Sequence, residues 1–231
     1  MKTAIKLVLI DLVIAQIAAP ILVMIPYTIY LLVTTGNLDK GILTQAIMIP
    51  AQLAGQVMMG IYLWKAGYIS TKKITWSPVS SSYLFFSALA VLTCGFVVSA
   101  LAELMKWIPN IMEQSFDILQ SGWGGILAIA VIGPVLEELL FRGAITKALL
   151  QQYSPTKAIL LSALLFGVFH INPAQILPAF LIGILLAWTF YKTGSLIPCI
   201  LMHILNNSLS VYLSICLLYT SPSPRDRSVS R

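Results

Sequence analysis

The stretch WGGILAIAVIGPVLEELLFRGAIT, residues 123–146, is long and apolar enough to cross a bilayer, yet it carries ionisable side chains near its middle. A membrane-spanning helix needs about 20 mainly apolar residues. The adjacent acids Glu137 and Glu138 are followed four residues later by Arg142. An ionised side chain at the centre of a bilayer costs about 2.5–3.5 kcal/mol on insertion scales, so these groups are candidates for a functional site.

Both histidines of the chain lie in similar surroundings. The sequence has 231 residues and 2 histidines. His170 ends the apolar run ILLSALLFGVFH, and His203 lies within SLIPCILMHILNNSL. Three apolar segments that each carry ionisable groups predict one shared polar site inside a bundle of helices.

The composition predicts the fold class. The chain is 58% hydrophobic and 10% charged, whereas a soluble domain has about 25% charged residues. We therefore expect an all-α polytopic membrane protein. Seven spans are predicted, at about 8–33, 42–64, 83–105, 123–146, 157–171, 174–191 and 195–215. The fifth is short unless its helix starts near Pro155.

Basic residues predict the orientation. If the N-terminus is cytoplasmic, nine basic residues fall on the cytoplasmic side and two on the outer side, which is a positive-inside bias. The cytoplasmic set is Lys2, Lys6, Lys65, Lys72, Lys73, Arg142, Lys147, Lys157 and Lys192, and the outer set is Lys40 and Lys106. The net charge of +6 therefore reflects cytoplasmic loops and does not point to a nucleic-acid partner. We expect a multi-pass protein of a bacterial plasma membrane.

The chain divides into three parts. Residues 1–122 carry the first three spans, and 123–215 carry the four spans with the polar site. Residues 216–226, CLLYTSPSPRD, resemble a translated transposon-end adapter of the kind joined to DNA for short-read sequencing. We therefore expect 216–231 to be a non-native tail without function, and any eighth span beyond 215 to be missing. The three cysteines show no disulfide framework and no metal-ligand spacing.

Spacing predicts that the polar groups meet. Glu138 precedes the turn at 153–155 by about sixteen residues and His170 follows it by about as many, so both lie about 24 Å from the turn. His203 lies about 12 Å into its span from the same side. These depths predict one site that opens toward the cytoplasm. Glu138 and Arg142 are four residues apart and can pair, which leaves Glu137 to face the site.

These groups suit hydrolysis in two ways. A carboxylate with a nearby histidine can hold and deprotonate a water, while an imidazole and an amide N–H from another helix stabilise an oxyanion. Here His203 and Asn207, four residues apart, present an imidazole and an amide on one face. Alternatively, Glu137, His170 and His203 form a zinc-like ligand set with a fourth position for water. The residues alone do not decide between these two chemistries.

Three other features have ordinary structural interpretations. Asp11 is predicted to lie at the cytoplasmic interface near Lys6. Asn206 is predicted to pack away from the face that carries His203 and Asn207. The outer stretch 107–121 has apolar residues at near-helical spacing, which is typical of a helix lying on the membrane or of an ordinary loop helix.

At the residues of the predicted polar site the chain resembles a known family. EELLFR at 137–142 fits the motif E-E-x-x-x-R, FGVFH at 166–170 fits F-x-x-x-H, and HILNN at 203–207 fits H-x-x-x-N. These are motifs of the CPBP intramembrane proteases, which include CAAX prenyl endopeptidases and bacteriocin-processing or immunity proteins. The three motifs occur in the family's order over about 123–215.

The resemblance implies an intramembrane endopeptidase that cleaves near the cytoplasmic face. Glu137 would activate water with His170, and His203 with Asn207 would form the oxyanion hole. Glu138, Arg142 and Phe166 would be supporting residues. The family includes proteins described as metalloproteases and others described as metal-free, so the resemblance leaves a divalent metal such as zinc open. The substrate would be a prenylated peptide, a leader peptide or another membrane-associated protein, entering from the cytoplasm or the bilayer.

Two other function classes stay open on the sequence. One is a membrane immunity factor that binds its partner without cleaving it. The other is a proton- or metal-coupled transporter, in which Glu and His residues form relays. Transporters usually contain repeated halves with broken helices, and no such repeat is evident here.

Overall fold

The chain folds into a bundle of α-helices. The computed structural model describes residues 1–69 and 73–220, and over that part it contains helices and no strand. The helices are α1 (Lys2–Thr35), α2 (Lys40–Lys65), α3 (Ser81–Leu104), α4 (Glu113–Gln120), α5 (Trp123–Leu150), α6 (Pro155–Phe169), α7 (Pro173–Thr193) and α8 (Leu196–Thr220). The predicted all-α class is confirmed.

Six of the described helices are long and apolar enough to cross a membrane, namely α1, α2, α3, α5, α7 and α8. The fifth predicted span, 157–171, corresponds to α6. It does begin at Pro155, but its 15 residues extend only about 22 Å, less than the bilayer core of about 30 Å. Its helix ends at Phe169 because the chain turns at Ile171, which has a positive φ of 57°. The protein is a multi-pass membrane protein.

The two ends of the bundle are identified by their loops. At one end, residues 151–154 join α5 to α6, and Ser195 Oγ donates to the Ser77 carbonyl at 2.7 Å. We call this the lysine end, because most of the basic residues flank it. At the other end, called the α4 end, the turn between α6 and α7 contacts the segment before α4 through Asn172 and Asn110.

Two apolar clusters hold the helices together. In the first, α1 and α2 pack on α5 and α6 through Leu7, Leu63, Leu140, Phe141 and Phe166. In the second, α3 packs on α7 and α8 through Val91, Ile182, Leu186, Cys199 and Met202. Exposed apolar side chains cover the outer surfaces of the long helices, as expected where the solvent is lipid. The first three helices thus pack against the segment that contains the polar motifs, and we call them the enclosing helices.

Two expectations change in the structure, and a third stays a prediction. The helix predicted over 107–121 starts only at Glu113, and the residues before it form turns. Arg142 does not belong to a cytoplasmic loop, since it is buried, so the basic residues that count toward orientation are eight against two. The predicted tail at 216–231 begins inside α8, which continues to Thr220, and from residue 221 it lies outside the described residues.

Candidate active site

Helix α5 positions the acidic pair in a short α-helical segment between two π-helical ones. Gly133–Glu138 is α-helical, whereas Ala128–Ile132 and Leu139–Thr146 are π-helical. Such π-helical insertions occur frequently at functional sites because they change which side chains and carbonyls a helix presents. The local geometry of α5 thus departs from a regular helix on both sides of its charged residues.

Glu138 and Arg142 form a fully buried ion pair, as their spacing predicted. Arg142 Nη1 lies 2.6 Å from Glu138 Oε1, and both side chains are 0% exposed. Arg142 Nη2 donates to the Gly183 carbonyl of α7 at 3.2 Å. Its Cζ lies 4.6 Å from the ring centroid of Phe166 on α6, within the range of a cation–π contact. This single side chain therefore ties α5 to both α6 and α7.

His203 joins this pair from α8. Its Nδ1 lies 2.8 Å from Glu138 Oε1, so Glu138 is shared between His203 and Arg142. Because a carboxylate only accepts hydrogen bonds, the contact assigns a proton to Nδ1 of His203. The other ring nitrogen, Nε2, lies 3.7 Å from Glu137 Oε2. Glu138 thus orients the imidazole so that its free nitrogen faces Glu137.

Glu137 lies apart from its neighbour, as the helical geometry predicted. Its side chain is 26% exposed, and its Oε2 has no hydrogen-bond partner among the residues that the structure describes. Gln56 of α2 is close by: a Cβ placed on Gly133 would lie 3.0 Å from Gln56 Nε2 and 3.8 Å from Glu137 Oε1. The absence of a side chain at Gly133 leaves this room. Glu138 Oε2 likewise has no described partner, so Glu137 differs from Glu138 in being partly exposed and in lying outside the ion pair with Arg142.

His170 lies at the end of α6, and Phe166 separates it from His203. Its Nδ1 lies 2.8 Å from the Phe166 carbonyl, which accepts only, so the proton of a neutral ring is on Nδ1. The Phe166 ring meets the imidazole of His170 edge-on at 4.9 Å and that of His203 at 5.6 Å between centroids. Both imidazoles are thus oriented by a contact at Nδ1 and packed on one aromatic ring.

Asn207 binds a backbone carbonyl of α5 that has no donor within the helix, because the residue that would donate to it is a proline. The N–H of Gly133 bonds to the Ala128 carbonyl, and Pro134 has no N–H to give to Ile129. Asn207 Nδ2 donates to the Ile129 carbonyl instead, at 3.0 Å. Pro134 therefore helps to fix the position of Asn207 on the neighbouring helix.

A cavity of about 630 Å³ lies beside these groups, although neither Glu137 nor Glu138 is among its lining residues. Its lining includes Phe166, His170, His203 and Asn207, and it extends to Glu113 and Asp117 on α4. The cavity therefore opens at the α4 end. The basic residues predict that the α4 end is the outer one. The predicted cytoplasmic N-terminus and the predicted cytoplasmic entry into the site therefore cannot both be correct.

The predicted metal-ligand set is not assembled in this structure. Within the part of the chain that the structure describes, no three His, Cys, Asp or Glu side chains lie close enough together to hold a metal ion. Of the predicted ligands, Glu137 and His203 are 3.7 Å apart, whereas the rings of His170 and His203 each pack edge-on against the Phe166 ring. The residues therefore do not fit a preformed three-ligand metal centre.

The positions of three residues near the site were not predicted, or were predicted wrongly, from the sequence. Asn206, predicted to face away, lines the cavity and its Nδ2 donates to Asn207 Oδ1 at 3.3 Å. Asp11, predicted at the interface, is only 8% exposed and lies within electrostatic reach of Glu137. Gln56 lies beside Glu137, as described above. The acid in the apolar run of α1 was the available signal for Asp11, but nothing in the sequence pairs α1 or α2 with α5.

Comparisons with known proteins agree with the motifs. Residues 119–209 match the model of a family described as type II CAAX prenyl endopeptidase Rce1-like. This match agrees with the resemblance to the CPBP proteases that the three motifs indicate. The chain is also 27% identical over 103 residues, 45% of its length, to the Bacillus subtilis (strain 168) protein named "Putative membrane peptidase YdiL". The match spans 42% of that relative. No solved structure matches the chain.

Both descriptions name peptidases, in agreement with the enzyme class expected from the motifs. The matched segment contains all three CPBP motifs together with α5 to α7 and most of α8. It leaves out α1 to α3, which the motifs also do not cover.

Proposed function

We propose that this protein is an intramembrane endopeptidase, a hydrolase that cleaves a peptide bond of a membrane-associated substrate. The observation that carries the proposal is the contact between Glu137 Oε2 and His203 Nε2, which lie 3.7 Å apart on two helices, with His203 lining the cavity. Around it, the buried pair of Glu138 and Arg142 fixes the imidazole. The match of residues 119–209 to a family of prenyl endopeptidases supports the same reaction.

In the proposed reaction, Glu137 is the general base. Its carboxylate takes a proton from a water as the water oxygen attacks the carbonyl carbon of the scissile peptide bond. The tetrahedral intermediate then collapses, the C–N bond breaks, and the proton on Glu137 passes to the leaving amine. His170, whose Nε2 carries a lone pair in the neutral ring, orients the attacking water.

His203 and Asn207 stabilise the oxyanion of the intermediate. His203 donates from Nε2 only when its ring is doubly protonated, because Nδ1 already donates to Glu138. Ionised Glu137, Glu138 and Arg142 together carry one net negative charge, which a protonated His203 neutralises in this buried cluster. Glu138, Arg142 and Phe166 thus support the reaction by holding His203 in place and in charge balance.

The proposed reaction contains no metal-bound step, since Glu137, His170 and His203 do not converge as a ligand set. A metalloprotease mechanism would require these side chains to move together. Sensitivity to a chelator distinguishes the two mechanisms.

The cavity suggests how a substrate is reached. A volume of about 630 Å³ between helices has room for several residues of an extended peptide or for part of a prenyl chain. We propose that a prenylated C-terminal peptide or a leader peptide, such as that of a bacteriocin precursor, enters at the α4 end or from the bilayer. We also propose residence in the plasma membrane with the N-terminus in the cytoplasm, which places the α4 end outside.

The test uses the full chain purified in detergent with two probes, a fluorogenic prenylated peptide and a library of leader peptides. Wild type is compared with Glu137→Gln, His170→Ala and the control Glu103→Gln, whose carboxylate is 65% exposed and outside the cavity. We expect wild type and the control to cleave a probe, with both site variants inactive and no effect of a chelator. Cleavage that survives Glu137→Gln, or a folded wild type that cleaves nothing, would contradict the proposal.

Orientation is tested separately. A single cysteine at Ser121, in a variant without the native cysteines, is labelled in intact cells by a membrane-impermeant thiol reagent if the α4 end faces outward. Labelling only after permeabilisation would show that this end is cytoplasmic.

A further inference from the structure

The turn between α6 and α7 holds a residue in an unfavourable conformation. Ile171 has a φ of 57°, in the left-handed region that β-branched side chains rarely adopt. Its side chain is 49% exposed, so packing around it does not explain the conformation. Residues in such regions persist only where surrounding contacts over-determine them. The contacts of the next residue supply that constraint.

Asn172 is 1% exposed and is held from two directions. Its Oδ1 accepts a hydrogen bond from the Ile111 N–H at 3.2 Å, and its Nδ2 donates to Asn110 Oδ1 at 2.8 Å. Asn110 Oδ1 in turn accepts from the Met112 N–H at 3.3 Å. A single side chain thereby fastens the turn to the segment before α4.

The fastened turn determines where His170 lies. His170 is the residue that ends α6, and its N–H donates to the Gly167 carbonyl at 3.3 Å. Only Ile171 separates it from Asn172, and both His170 and Asn172 line the cavity. If the turn relaxed to an ordinary conformation, the end of α6 and the imidazole of His170 would move relative to His203.

We propose that Asn172 is a positioning residue: it holds the strained turn at Ile171 and thereby sets the place of the His170 imidazole in the cavity. This inference rests on the proposed function, in which His170 orients the attacking water. A displacement of about 1 Å at a reacting group can cost about 100-fold in rate. Asn172 lies outside the three motifs, so the motifs do not indicate this role.

The kinetic test combines removal of the contact with relief of the strain. We expect Asn172→Ala to lower kcat by about 10- to 100-fold while KM stays within about twofold, because the substrate site is intact but His170 is displaced. Glycine adopts a positive φ without penalty, so adding Ile171→Gly to Asn172→Ala should restore most of the lost kcat. Asn110→Ala should lower kcat in the same direction by less, since the bond from Ile111 remains.

A second readout does not depend on cleavage. Hydrogen–deuterium exchange of the full chain in detergent should become at least about tenfold faster at residues 170–175 in Asn172→Ala and return toward wild type in the double variant. Unchanged exchange in Asn172→Ala would overturn the inference even if no substrate is ever cleaved. So would an unchanged kcat in a folded Asn172→Ala, or a double variant as slow as the single one. If wild type cleaves nothing but exchange behaves as expected, the proposed function fails and the structural role of Asn172 stands.

Discussion

The first three helices and the four helices of the segment that contains the motifs, α5 to α8, differ in what they bury. In the most apolar windows of α1 and α3, 11% of the residues are buried, against 44% in α5 and 33% in both α7 and α8. The second group also buries polar groups that pair between helices, among them Thr146 with Ser162 at 2.6 Å and Glu138 with His203 at 2.8 Å. In a bilayer, packing and interhelical hydrogen bonds rather than hydrophobicity hold helices together. The motif-bearing helices therefore fix the site, and the first three enclose it.

Two residues of the first three helices do not follow this difference, because they lie near the site. Asp11 of α1 and Gln56 of α2 lie on the inner faces of the enclosing helices, close to Glu137. If the enclosing helices only shield the site, changes there should have small effects on the rate. Large effects would make them part of the reaction centre.

The largest effect is expected at Glu137. Glu137→Gln keeps the shape of the side chain but removes the base, so kcat should fall by about 10³- to 10⁴-fold. Cleavage of a fluorogenic peptide measures this, with Glu103→Gln on α3 as a control that stays at the wild-type rate. A loss at Glu103 as large as that at Glu137 would erase the contrast between the two regions.

The buried ion pair should dominate stability. Arg142→Met leaves Glu138 buried with only His203 as a partner, and the free energy of unfolding should fall by about 3–5 kcal/mol. Denaturation in mixed micelles measures it. The double variant Glu138→Gln/Arg142→Met removes both charges and should regain much of that stability. An unchanged stability in Arg142→Met alone would show that the pair does not hold α5 in place.

Asn207 should matter more than Asn206, which lies beside it. Asn207→Ala removes both the proposed oxyanion donor and the bond to the Ile129 carbonyl, so kcat should fall by about 100-fold or more. Asn206→Ala removes only the contact with Asn207 and should cost less than about tenfold. Comparable losses in steady-state cleavage at both positions would assign the donor role to the pair of amides.

The sequence predicted much of this arrangement, and the reason is physical. Ionisable groups in apolar segments are costly, so Glu137, Arg142, His170 and His203 stand out, and helical spacing pairs Glu138 with Arg142. The proximity of His203 to Glu138 depends on how α8 packs on α5, which spacing within one helix does not determine. The side on which the cavity opens also depends on packing, through the position of α4. The prediction for Asn206 was wrong because helical spacing indicates one face of α8, whereas the cavity also extends between α8 and α3.

The smallest effect is expected at Asp11. Asp11→Asn keeps the size of a buried side chain in α1 and removes only a charge near Glu137, so kcat should change by less than about tenfold, equivalent to under about 1.4 kcal/mol of barrier. The matched control is Asp39→Asn, because Asn caps a helix as well as Asp does and Asp39 accepts from the Ile42 N–H at the start of α2. A loss at Asp11 close to that at Glu137 would move α1 into the reaction centre.

The most direct measurement is a double-mutant cycle between Glu137 and His203 on kcat/KM for one cleaved peptide. The variants are Glu137→Gln, His203→Gln and the two combined, since a glutamine amide can still donate to Glu138. If the two groups act as one unit across the 3.7 Å between them, the double variant should be within about tenfold of the slower single variant. Losses that multiply would show that Glu137 and His203 act independently, and would contradict a shared hydrolytic centre at this contact.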